Sequence, residues 1–192
     1  MARSLVTEPQ VWHDLAMAES LAGKLLLATP TLLDPNFYRT VILMLQDDAE
    51  GTVGVVLNRP SDEPVDAHLP EWAPRTKAPH AIHYGGPVEP EVAIGLSNTS
   101  EGMPAGPPGL SLVDLSSAPD TEDGPSVRIY SGYAGWGAGQ LEAELAGGSW
   151  YVVQASPDDP FDDPDGQWRR ILRRQPNFLS LVSTFPDDVR LN

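Results

Sequence analysis

Residues 130–142 place four glycines, Gly132, Gly135, Gly137 and Gly139, around one tryptophan, Trp136. The stretch leaves a β-branched run at residues 127–130 and enters a short amphipathic segment, residues 140–146, where Leu141 and Leu145 share one helical face. Gly147 and Gly148 stop that segment. Glycine loses more backbone entropy on folding than any other residue, so a chain that clusters four of them uses positive φ or close backbone approach there. Two readings are open. In one, the glycines form a loop entering a helix, and Gly135, Trp136, Gly137, Gly139 and Gln140 hold a phosphate or carboxylate on unpaired N–H groups. In the other, the stretch is a packing turn with Trp136 in the core. No Lys-Ser/Thr pair follows the glycines and the dinucleotide spacing is missing, so the pattern is neither of the common nucleotide motifs.

The rest of the chain reads as short strands cut by proline and glycine. Residues 24–28 are an apolar run closed by Thr29-Pro30, which predicts a buried strand. Asp34-Pro35-Asn36-Phe37 predicts a turn. Residues 40–46 and 52–57 flank the acidic tip at 47–51, a hairpin signature. Further strands are expected at residues 81–84, 92–96, 110–115, 127–130 and 150–155, with a helical turn at 64–69. Residues 61–79 and 100–109 read as proline-rich connections, with Trp72 as a local anchor. Asp165 is positioned to cap a helix over 167–174, whose Trp168, Ile171 and Leu172 form an apolar stripe, and a last helix is expected at 176–184. About eight strands and three or four short helices, without regular βα alternation, predict an α+β domain with a largely antiparallel sheet. It is expected to span residues 23–192 as a single domain, after a weakly ordered leader at 1–22 anchored by Leu5, Trp12, Leu15 and Leu21.

Composition narrows function. With no cysteine among 192 residues, thiol nucleophiles, thiolate ligands and disulfides are excluded. A net charge of −15 and a pI near 4.4 disfavour direct binding to DNA or RNA, whose phosphates demand Lys and Arg. No apolar run reaches the length of a membrane span and no secretory leader is evident, so a cytoplasmic protein without membrane association is expected.

Arg39 and Arg59 are the charged candidates for an anion site, each beside a strand end with an amide near it, Asn36 and Asn58. A guanidinium fork with an amide suits a carboxylate or phosphate. The competing reading binds each arginine to loop carbonyls or a carboxylate of its own fold. Arg169, Arg170, Arg173 and Arg174 offer a basic helix face to an acidic protein partner, or simply complement the helix dipole and the acidic loop at 158–165. Catalytic signatures are weak. Ser131 lacks the first glycine of a nucleophile elbow, because Ile129 stands there. His80 and His83 read as ordinary, partly exposed strand histidines without further metal ligands, and Asp34, Asp114 and Glu142 have turn, surface and capping roles open to them. No cofactor or metal is indicated.

Several motifs, taken in order, resemble the bacterial YqgE/AlgH family: Gly23-Lys24-Leu25-Leu26-Leu27-Ala28-Thr29-Pro30, then Asp34-Pro35-Asn36-Phe37-Tyr38-Arg39-Thr40-Val41, Leu57-Asn58-Arg59-Pro60, Gly85-Gly86-Pro87-Val88 and the glycine stretch through Glu142. The resemblance covers residues 21–192. It implies a single α/β domain with a bifurcated sheet folded into a pseudo-barrel, and no established reaction, although some members carry the label of transcriptional regulator. Departures fall at the hairpin tip, where the family leads one to expect a histidine in place of the acidic Gln46-Asp47-Asp48, and in the prolines at 60–79 and 104–108. The expected function is a non-enzymatic regulatory or interaction protein that binds a small anion, with any effect on transcription indirect. The alternative is a hydrolase or transferase acting on a phosphorylated or carboxylated metabolite in the same cleft.

Overall fold

The computed structural model describes residues 20–121 and 123–186. Most of the expected leader, including Leu5, Trp12 and Leu15, lies outside the described residues, while Leu21 packs partly buried against the core.

Ten strands and four short α-helices are present among the described residues. β1 (Lys24–Ala28) lies between β2 (Val41–Asp48) and β10 (Trp150–Gln154), antiparallel to both. β2 turns at the acidic tip into β3 (Gly51–Val56), with a bulge between Met44 and Gln46. Beyond β3 come β4 (Pro60–Pro64), the single-turn α1 (Val65–His68), β5 (Ala81–Tyr84), β6 (Val88–Ser97), β7 (Met103–Pro104) and β8 (Ser111–Val113). β9 (Val127–Gly137) organises them, and the sheet runs β10-β1-β2-β3-β9-β6-β8-β7.

β9 shows why the sheet divides. One edge pairs with β6 along Val127–Tyr133. The opposite edge is shared: Ala134 to Gly137 pair antiparallel with β3, whereas Tyr130 and Ser131 pair parallel with β5, which carries β4 on its outer side. At the fork the backbones nearly touch. A Cβ on Gly86 would stand 2.1 Å from the Tyr133 carbonyl carbon, and one on Gly85 would stand 2.2 Å from the Gly132 oxygen. The glycine stretch is therefore mostly strand, which corrects the expected loop. Gly132 serves close approach at the fork with φ 69°, and the turn into α2 (Gln140–Ala146) is confined to Ala138 and Gly139.

The central strands are buried on both faces, as the continuous apolar run of β1 requires. Leu25 and Leu27 point into one cluster with Val41, Leu43, Val55 and Tyr130, closed by Trp168, Ile171 and Leu172 of α3 (Gln167–Arg173) and by Leu179 of α4 (Leu179–Val182). Leu26 and Ala28 point the other way, against Ile42, Val56, Trp136, Trp150 and Leu141 of α2. A seven-residue helix is marginal alone, so burial of its apolar side chains, about 1.5–3 kcal/mol each, holds α3 on the sheet. Its N-cap is Gly166 with φ 67°, not Asp165, and no side chain caps it. The last helix is confined to four residues, shorter than expected. Among the described residues no helix is long and apolar enough to cross a membrane.

Candidate functional site

Arg39 sits at φ 52°, a backbone conformation uncommon for a side chain of its size. Asn58 holds it there: its Oδ1 accepts from the Val41 N–H at 3.0 Å and its Nδ2 donates to the Arg39 carbonyl at 2.9 Å. The Arg39 guanidinium then lies over the Trp168 ring, 4.4 Å from its centroid, and Nη2 donates to the carbonyls of Phe185 (3.1 Å) and Pro186. The Trp168 indole is itself fixed by donating to the Ala28 carbonyl at 2.9 Å. β1, the β2 entry, α3 and the segment after α4 thus meet at one arginine.

Arg59 is its neighbour and differs in kind. Its Nη1 donates to the Asn58 carbonyl at 3.4 Å and its Nη2 to the Tyr38 carbonyl. No carboxylate of the described residues forms an ion pair with it. Half burial pushes its pKa below the usual guanidinium value. Arg59 borders two hollows. The larger, about 480 Å³, is walled by Arg39, Asn58, Asp165, Gln167, Trp168 and Arg169. The smaller, about 300 Å³, is walled by Asn36, Val56, Tyr84 and Gly86 at the fork. Asn36 is held in the expected turn, where its N–H donates to Asp34 Oδ1 at 2.8 Å.

Asn36, Arg39, Asn58 and Arg59 therefore gather around one guanidinium, but the glycine stretch does not join them. Gly135 and Trp136 border a separate hollow with Asp48 and Glu50, whose carboxylates oppose an anion. Gly137, Gly139 and Gln140 border neither Arg59 cleft. Gln140 Oε1 accepts from the Gly137 N–H at 3.2 Å and its Nε2 donates to Glu144 Oε1 at 3.1 Å. Glu144 Oε2 in turn accepts from the Trp136 and Trp150 indoles at 3.0 and 2.8 Å. The Gly137 N–H, the Trp136 indole and the Gln140 side-chain amide are thus spent on fastening α2, and Trp136 is a core residue at 5% exposure.

The basic helix face is divided as well. Arg174 grips the buried Asp159 through two bonds of 2.5 and 2.7 Å, and Arg170 pairs with Asp162 at 3.1 Å. Both serve the acidic loop of their own chain. Arg169 turns toward the Arg59 cleft and donates to the Ser183 carbonyl at 2.5 Å, and Arg173 is exposed.

The residue reading missed the buried polar group beneath β9. Arg128, 1% exposed, donates through Nε to the Pro160 carbonyl at 3.2 Å and through Nη1 and Nη2 to the Ala78 carbonyl at 3.1 Å, with Lys77 O at 3.3 Å. His83, expected to be partly exposed, is 1% exposed beside it. Its Nδ1–H donates to the Ala81 carbonyl at 3.1 Å, its Nε2 has no partner among the described residues, and burial and then Arg128 push its pKa down to about 4. The available signal was an arginine between Val127 and Ile129 in a β-branched run. Among the described residues no group of three or more His, Asp or Glu could hold a metal ion.

Comparison with known proteins agrees with this architecture. A family model described as AlgH-like matches residues 25–179. A UPF0301 protein of Streptomyces avermitilis is 45% identical over 185 residues, covering 90% of this chain and 96% of the relative. Another from Thermobifida fusca is 44% identical over 190 residues, covering 90% and 96%. The crystal structure of protein DIP2367 from Corynebacterium diphtheriae superposes with a TM-score of 0.79 at 30% identity, covering 94% of this chain and all of that one. The solution structure of the AlgH protein from Pseudomonas aeruginosa gives 0.64 at 28% identity, covering 87% and 95%.

Proposed function

The chain belongs to the AlgH-like family, and on that premise we propose that it is a regulatory or interaction protein that binds a small anion in the cleft around Arg59. One observation carries the reading: a half-buried guanidinium that meets only backbone carbonyls stands between two hollows, without a carboxylate of the described residues to neutralise it. Desolvation lowers the cost of bringing a phosphate or carboxylate to it, and a bidentate contact would satisfy its remaining N–H groups. Arg169 and the Trp168-stacked Arg39 line the same wall. Asn58 positions Arg39 rather than the ligand. The net acidity of the chain directs any influence on transcription through a protein partner, not through contact with nucleic acid.

The test is a thermal-shift and calorimetric series with inorganic phosphate, nucleoside monophosphates and dicarboxylates. Saturation at a hundredfold above the dissociation constant adds about 2.7 kcal/mol, roughly 5–10 °C for a domain of this size. Arg59→Gln is expected to weaken binding at least about tenfold, since a charge-assisted bidentate contact is lost, while Gly137→Ala leaves it unchanged. Equal affinity in wild type and Arg59→Gln, or no shift with any anion, would overturn the proposal.

A further inference from the structure

β6 leaves β9 after Val88, opposite Tyr133, and rejoins it at Ala93, opposite Ser131, so residues 89–92 face the single residue Gly132. The excess chain bows outward. Glu89 takes φ 45°, and any Cβ on Gly132 would stand 2.7 Å from the Gly86 oxygen, 2.8 Å from the Val88 oxygen and 3.1 Å from Pro90 Cα. Beneath the bow, between it and the β4–α1 segment, lies a cavity of about 360 Å³. Ile82, Val92 and Ile129 make its walls apolar, and the exposed Tyr84 ring stands at its mouth. This volume and lining suit a small organic ligand.

The two serine hydroxyls at the cavity share one property. Ser61 Oγ donates its hydrogen to the Ile82 carbonyl at 2.7 Å, and Ser131 Oγ donates its own to the Pro90 carbonyl. Both hydroxyls therefore offer only lone pairs to a ligand, and one of those on Ser61 already accepts from the Glu63 N–H at 3.1 Å. Glu63 and Glu91 offer carboxylates, and His68 directs its Nε2 at Glu63 Oε2, 3.0 Å away, rather than at the cavity. The lining accepts hydrogen bonds where the Arg59 cleft donates them, and Tyr84 borders both.

We propose that this cavity binds an organic cation, a primary ammonium or guanidinium on a short apolar or aromatic stem. The stem lies against Ile82, Val92 and Ile129, and the head reaches Glu63 and Glu91 with the Tyr84 ring face beside it. Free amines and the basic side chains of a peptide share this chemistry. Titration of the isotope-labelled full chain with phenethylamine and agmatine at physiological salt, followed by amide chemical shifts, separates them when repeated with a lysine-containing peptide. Saturable shifts at Ile82, Tyr84, Val92 and Ala93 are expected, the tighter ligand naming the source. The double variant Glu63→Gln/Glu91→Gln, both exposed positions, should weaken binding about tenfold, and Asp120→Asn should not change it. Equal binding of the neutral 2-phenylethanol, unchanged affinity in the double variant, or shifts spread over the acidic surface would overturn the proposal.

Discussion

Arg128 and Arg59 are both guanidiniums without an ion-paired carboxylate among the described residues, and they lie on opposite sides of what an arginine does in a fold. Arg128 is sealed, and its N–H groups are distributed over the carbonyls of Lys77, Ala78 and Pro160. Arg59 is half-buried, bonds the Asn58 and Tyr38 carbonyls, and opens onto two hollows. Burial lowers the pKa of each. The difference teaches that a missing acid partner is not by itself a sign of a binding site. What separates the two is whether the carbonyls of the fold use up the donors.

The largest effect that tests this contrast is expected at Arg128. Arg128→Met removes the guanidinium bonds to the Pro160 and Ala78 carbonyls, charge-assisted contacts of about 1.5–3 kcal/mol each, so a loss of about 4 kcal/mol and a drop in Tm on the order of 10 °C are expected in thermal unfolding. A stable Arg128→Met protein would erase the distinction. A smaller effect sharpens it. His83 next to Arg128 has its folded pKa near 4, below its unfolded value near 6.5. The unfolded state therefore binds more protons in that window, and stability is full above pH 6.5 and declines as pH falls toward 4. The His83 share is about 3 kcal/mol across the window, and His83→Phe is expected to remove it from the pH dependence of denaturant unfolding. The smallest effect is at Arg59, where Arg59→Met should change stability by about 0.5 kcal/mol or less, because the guanidinium is only half-buried and its bond to the Asn58 carbonyl is long at 3.4 Å. A large loss there would make Arg59 a second Arg128.

Elements with both an internal pattern and a stop signal were legible in the sequence. β1 between Gly23 and Thr29-Pro30, the acidic-tipped hairpin and α2 before Gly147 fall where residue pattern and breakers place them. The glycine stretch misled because its cause is not local: Gly132 is small so that Gly86, 46 positions earlier, can pass. β4 was hidden by its terminal prolines, which an edge strand with one partner tolerates. The pairing of each arginine with a nearby asparagine led to the right neighbourhood, yet Arg169 reaches the same cleft from 110 positions beyond Arg59, and no spacing rule encodes that meeting. Arg170 and Arg174 resemble a docking face until the acidic loop is seen folded against them.

The sharing of β9 among β3, β5 and β6 has a consequence for how the chain comes to be folded. Each of those strands precedes β9 in the sequence, β3 by more than 70 residues, and β10 follows it to close on β1. A growing chain that has reached residue 126 holds three separate pieces, β1-β2-β3, β4-β5 and β6-β8-β7, with no strand to join them. Assembly waits for sequence-distant pairing, which places this protein among slow-folding topologies and leaves the apolar edges of β3 and β6 open to chaperones or to one another until the late strand inserts between them.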